Sequence, residues 1–203
     1  MGKLVVFEGI DNAGKTSVIE RLKVLLENCN VPVTVCGELR SPLASILREL
    51  LNSEGSPFLK TYFFACDRAW SYERIGLPAL QRGELVLWDR YVDSAIVYRT
   101  VELANVSSKI NLEFVKSINQ PFKEADLTIY IDISVETAFK RIKQGWGKVL
   151  YNPEFLEKVR AEYLKLAIKK RYCVINGESS LGIVANRVGR AIQQHLKELF
   201  LCI

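Results

Sequence analysis

Apolar residues along this chain follow two alternating spacings. Short runs rich in Val, Leu and Ile lie at Lys3–Phe7, Pro32–Cys36, Glu84–Trp88, Leu127–Asp132 and Arg171–Ile175. Several are nearly continuous, as expected of strands covered on both faces. Between them the spacing lengthens to about 3.6 residues, which predicts helices. These fall at Gly14–Asn28, Pro42–Leu51, Phe58–Arg82, Val92–Leu103, Leu112–Asn119, Val135–Lys143, Pro153–Lys169 and Leu181–Leu199. Strands alternating with helices specify an α/β fold, a parallel sheet flanked by helices on both faces, whose ligands gather at the carboxyl ends of the strands. Gln144-Gly145-Trp146-Gly147-Lys148 joins two strong helical patterns through two glycines, marking a lid segment around 143–152. Pro153 behind Asn152 restarts the helix, with Phe155, Leu156, Val159, Tyr163 and Leu166 as its core stripe.

Composition adds bounds to this pattern. With 203 residues and 49% hydrophobic content, the chain suffices for one domain spanning 1–203. No apolar run approaches the ~18 residues of a membrane span, so no membrane partner is expected. The N-terminus enters a predicted strand almost at once, leaving no room for a signal peptide, and a cytoplasmic protein is expected. Cys29, Cys36, Cys66, Cys173 and Cys202 show no C-x-x-C spacing and read as reduced thiols. The net charge of +5 suits anionic ligands, and its dispersal among acids favours small molecules over nucleic acid.

The chemistry starts at Gly9-Ile10-Asp11-Asn12-Ala13-Gly14-Lys15-Thr16, a G-x-x-x-x-G-K-[ST] pattern between a strand and an amphipathic helix. Such a loop aims backbone N–H groups and a helix N-terminus at a polyphosphate. Its lysine reaches the β/γ-phosphates and its hydroxyl ligates Mg2+. Leu85-Val86-Leu87-Trp88-Asp89 ends a second strand in a carboxylate, so Thr16 and Asp89 are the candidate metal pair, Asp89 acting directly or through a water. Neighbouring side chains diverge at a strand end, which turns Arg90 toward a second anion. A plain Asp–Arg surface turn is the alternative. Phe64 and Arg68 are four residues apart and share a helix face. A flat ring beside a fork of donors suits a nucleobase, although such pairs also act as simple helix stabilisers. Phe63, Cys66 and Trp70 are expected to pack inward or between subunits, and His195 to lie on a helix surface away from the chemistry.

Taken in order, Phe7 to Thr16, Phe64-Ala65-Cys66-Asp67-Arg68, Asp89-Arg90-Tyr91-Val92-Asp93-Ser94-Ala95-Ile96-Val97-Tyr98 and Phe155 to Leu164 resemble the successive signatures of the thymidylate kinase family. The resemblance implies a P-loop NTPase fold with a five-stranded parallel sheet, a homodimer packed through helices, and ATP-dependent transfer of a phosphoryl group to dTMP, with Mg2+, giving dTDP. It also implies that Gly9, Ile10, Asp11, Asn12, Ala13, Gly14, Lys15, Thr16 and Ser17 bind ATP, with Arg141 along the adenine. Asp11 then holds the sugar 3′-hydroxyl, Arg40 and Arg90 the acceptor phosphate, Phe64 and Arg68 the thymine, Ser94 the base surroundings and Tyr98 the 2′ position. Lys15, Arg90 and Asp11 form the catalytic set.

Two departures qualify the resemblance. Some family members have arginine where this chain has Asn12, so the transition-state cation is expected from the lid, through Lys143 or Lys148. The loop carrying Arg40 is also shorter than the bacterial R-E-P-G-G-T form. Among rival readings, a deoxynucleoside kinase needs a base carboxylate near a neutral hydroxyl, whereas Arg40 with Arg90 suits an anionic acceptor. A monophosphate kinase of broader base specificity stays open. A regulatory nucleotide switch lacks its N-K-x-D signature, and a nucleic-acid-binding NTPase lacks a basic–aromatic stripe.

Overall fold

Leu4-Val5-Val6-Phe7 occupies the middle of the sheet, which is why it carries apolar residues toward both faces. The structure is a computed structural model that describes residues 1–52, 56–104, 111–145 and 151–196. Among these, β1 (Lys3–Glu8), β2 (Val33–Gly37), β3 (Leu85–Asp89), β4 (Leu127–Asp132) and β5 (Cys173–Asn176) form one parallel sheet in the order β2-β3-β1-β4-β5. Side chains alternate across it. Val5, Phe7, Leu85 and Leu87 join a core with Val18, Ile19 and Leu22 of α1 (Lys15–Asn28) and Val184 and Val188 of α9 (Leu181–His195). Leu4, Val6, Val86 and Trp88 instead pack with Ala79 and Leu80 of α4 (Leu77–Gln81). The remaining helices are α2 (Ala44–Asn52), α3 (Pro57–Ser71), α5 (Val92–Leu103), α6 (Leu112–Asn119), α7 (Val135–Lys143) and α8 (Pro153–Lys170).

The expected strands and helices are present, with boundaries shifted for physical reasons. The predicted helix Phe58–Arg82 is α3 and α4 joined by a π-helical turn at Tyr72–Gly76. Pro78 lacks an N–H and its ring would strike the carbonyl of Arg74 in a regular helix; the wider turn removes that clash. Gly76 also brings the helix close to the sheet, since a Cβ there would sit 2.7 Å from Trp88 Cζ3. Arg171, expected to open the last strand, is the left-handed cap of α8 at φ 55, so β5 starts at Cys173. The second helix starts at Ala44, because Ser41 Oγ first accepts the Leu43 N–H at 3.0 Å in a local turn. The last helix ends at His195, short of the expected Leu199, which lies outside the described residues. His195 is exposed as expected, whereas Cys66 is exposed on α3 within this chain. No helix among the described residues is long and apolar enough to cross a membrane.

Candidate active site

All five strands point their carboxyl ends to one side, and β1 releases the chain there into the glycine loop. Gly9 adopts φ 147, and an added Cβ would lie 2.6 Å from the Ile131 carbonyl oxygen, so the turn admits only glycine against β4. Lys15, 5% exposed at the start of α1, folds back over the loop. Its Nζ donates to the carbonyls of Gly9 at 3.0 Å and Ile10 at 2.9 Å. Burial, followed by the nearby Arg90 guanidinium, pulls its pKa down to about 8. Phosphate oxygens are stronger acceptors than those carbonyls, so a bound polyphosphate would take over this ammonium.

Thr16 follows on α1, and its Oγ1 donates to Asp89 Oδ2 at 2.5 Å. The register Phe7↔Asp89 places that carboxylate beside the loop. Two hard oxygen donors in contact fit Mg2+, which takes one or two protein oxygens and completes its shell with water and phosphate.

Arg90 adopts a left-handed backbone at φ 63, an uncommon conformation for a side-chain-bearing residue. Its Nη1 donates to Gly9 O at 3.0 Å and its Nη2 pairs with Asp11. The guanidinium lies 5.4 Å from the centre of the Tyr98 ring, and the Tyr98 hydroxyl stands 3.5 Å from Asp11 Oδ1. Phe64 and these groups line one cavity of about 560 Å³, within the usual range for small-ligand sites.

The other expected residues are distributed as follows. Arg68 is buried behind the cavity wall, its fork donating to Asn119 Oδ1 at 2.6 Å and Glu38 Oε1 at 2.8 Å, while Asn119 and Glu38 line the cavity themselves. Burial pushes the Glu38 carboxyl up, opposed by Arg68. Ser94 reaches the wall, but its hydroxyl is engaged by Glu8 and Tyr163. Arg40 is exposed over Gly37 and does not line the cavity. Arg141 clasps the loop, donating to Asn12 O at 2.8 Å and to Gly177 O at 2.7 Å. Lys143 is exposed at the end of α7; Lys148 lies outside the described residues, with the rest of 146–150.

Several site residues escaped the sequence reading. Tyr151 and Lys60 line the far wall and meet at Glu102, which accepts the Tyr151 hydroxyl at 3.2 Å, lies 3.6 Å from Lys60 and pairs with Arg99. These partners come from α3, α5 and the stretch before α8, so no local spacing signals them. Glu8 did leave a signal, a carboxylate closing an otherwise apolar strand.

A family model described as thymidylate kinase matches residues 7–188. The thymidylate kinase of Caldanaerobacter subterraneus subsp. tengcongensis is 32% identical over 210 residues, covering 97% of each chain. The probable thymidylate kinase of Pyrobaculum aerophilum is 34% identical over 194 residues, covering 94% of this chain and 96% of its own. The thymidylate kinase of Thermoanaerobacter sp. is 33% identical over 209 residues, covering 96% and 99%. A match of this extent takes in the phosphate loop, the Phe64–Arg68 face and the Asp89–Tyr98 stretch together, and the chain belongs to the thymidylate kinase family.

Proposed function

We propose that this cleft transfers the γ-phosphoryl group of ATP to dTMP, giving dTDP, with Lys15 and Arg90 as the cations that bring the two phosphates together. One observation carries the reading. Lys15 Nζ and Arg90 Nη1 both donate to the same Gly9 carbonyl, so two like charges from different elements converge on one point. Burial, and after it the repulsion from Arg90, depresses the Lys15 pKa, and phosphate anions placed between the two cations would relieve that repulsion. Gly9 to Ser17 and Arg141 serve the donor; Asp11, Phe64, Arg90 and Tyr98 serve the acceptor, with Arg40, Arg68 and Ser94 supporting them.

Transfer of this kind needs position and charge more than covalent help. The acceptor phosphate is already ionised, so Asp11 orients the sugar 3′-hydroxyl rather than acting as a strong base. Tyr98 crowds the 2′ position, and Phe64 offers a face to the base. Thr16 and Asp89 would hold Mg2+, which would supply charge neutralisation to the phosphates. Lys143 and Lys148 are the further cations for the transferring group. Phe58, Leu59 and Tyr62 are exposed on α3, and this apolar face supports a homodimer packed through helices. The same reading puts the enzyme in the cytoplasm.

With ATP and Mg2+ the protein converts dTMP to dTDP and leaves thymidine unchanged, measured by ADP release together with chromatography of the nucleotides. Faster turnover of thymidine than of dTMP would overturn the assignment. Phe64→Ala raises the KM for dTMP about tenfold, because base–aromatic stacking contributes on the order of 1–3 kcal/mol. A change confined to the KM for ATP would put Phe64 on the wrong substrate.

A further inference from the structure

Glu8 is wholly buried at the end of the central strand, next in sequence to the phosphate loop, yet its contacts lead elsewhere. Oε1 accepts the backbone N–H groups of Tyr91 at 3.0 Å and Ser94 at 3.2 Å. Oε2 accepts the hydroxyls of Ser94 at 2.5 Å and Tyr163 at 2.9 Å, and those hydroxyls lie 2.7 Å from each other. Tyr91 is the N-cap residue of α5 and makes no side-chain cap bond. The first N–H groups of a helix have no intrahelical acceptor, and a carboxylate there also favours the helix dipole. Glu8 therefore caps α5 from 83 residues away.

We propose that Glu8 is a positioning residue for the acceptor half of the site, fixing the start of α5 and, through it, Arg90 and Tyr98. This rests on the reading that those two residues serve dTMP. Arg90 is held on both sides: its own N–H donates to Phe7 O at 3.0 Å, and the next N–H, of Tyr91, is taken by Glu8. Between these anchors the chain keeps its left-handed turn, a strained conformation that persists only where its surroundings hold it. Tyr98 sits two helical turns along α5 with the Arg90 guanidinium over its ring, so a shift of the cap moves both together. The capping carboxylate is itself held in an unfavourable place. Burial, reinforced by the Asp93 carboxylate, pushes the Glu8 pKa up, which makes the ionised cap a cost to stability. The Ser94 hydroxyl, the Tyr91 N–H and then the Arg90 charge favour the ionised form against it.

The test uses steady-state kinetics and thermal melts of the full chain, starting with wild-type turnover of dTMP so that failure of the functional assignment shows separately. Glu8→Ala raises the KM for dTMP about tenfold and lowers kcat, while the KM for ATP stays within about twofold although position 8 adjoins the loop. Glu8→Gln keeps an oxygen for the two N–H groups and restores most of the dTMP affinity. Equal shifts in both KM values would tie Glu8 to the donor loop and overturn the proposal. So would a lowered Tm with both KM values unchanged, which describes a purely structural residue. If Glu8→Ala does not fold, Tyr163→Phe decides, since it removes one donor to Oε2 and leaves the ring in place. It raises the KM for dTMP about threefold with ATP unaffected, and no change in either rejects the idea.

Discussion

Lys15→Ala lowers kcat by roughly a hundredfold or more while the protein stays folded. In the proposed reading the side chain is the ammonium that meets the donor phosphates; in the structure it is held on the Gly9 and Ile10 carbonyls. Its loss is felt most as charge develops on the transferring group, so kcat falls more than the KM for ATP rises. The fold tolerates the change because Gly9 O still accepts from Arg90. The pKa of about 8 gives the same residue a second signature. Above pH 8 the free protein holds Lys15 mostly neutral, and a bound polyphosphate raises its pKa again. ATP binding therefore takes up close to one proton at pH 9 and almost none at pH 6.5. Calorimetry in buffers of different ionisation heat measures the uptake, which disappears in Lys15→Ala. An active Lys15→Ala variant, or uptake that survives the substitution, would remove Lys15 from the role.

The fold was legible because burial on both faces leaves runs such as Leu4–Phe7 and Leu85–Trp88 that contain little else, and because helix periods separate them. The phosphate loop was legible for a related reason. Its glycines, lysine and threonine all act within one turn of chain, so spacing alone specifies them. Contacts across the sequence were not legible. Arg68 carries the right chemistry on the right helix face, but Glu38 and Asn119, 30 and 51 residues away, occupy its fork. The π turn at Tyr72–Gly76 was hidden because Pro78 sits inside an otherwise regular apolar period. Glu102 was missed because the three groups that meet it come from α3, α5 and the segment just before α8.

Arg90 carries the largest expected effect on the acceptor side. Arg90→Ala lowers kcat/KM for dTMP by about a thousandfold, and Arg90→Lys restores only a small part. The reason is geometric. The guanidinium reaches Gly9 O and Asp11 at once while its flat face covers Tyr98, and a lysine offers one point charge without the fork or the face. The pairing with Asp11 also makes the loss specific. In the proposed reading an incoming phosphate would compete with Asp11 for the same fork and release that carboxylate to the sugar hydroxyl, so removing Arg90 should weaken both ends of dTMP together. Backbone conformation needs its own control, because residue 90 sits at φ 63, where alanine is strained and glycine is not. Arg90→Gly should therefore melt no lower than Arg90→Ala yet be as inactive, with kinetics and melts measured on the same preparations. If Arg90→Gly kept near-normal turnover, the turn rather than the guanidinium would be the functional element. If Arg90→Lys fell within about threefold of wild type, a single positive charge would suffice and the bidentate account would fail.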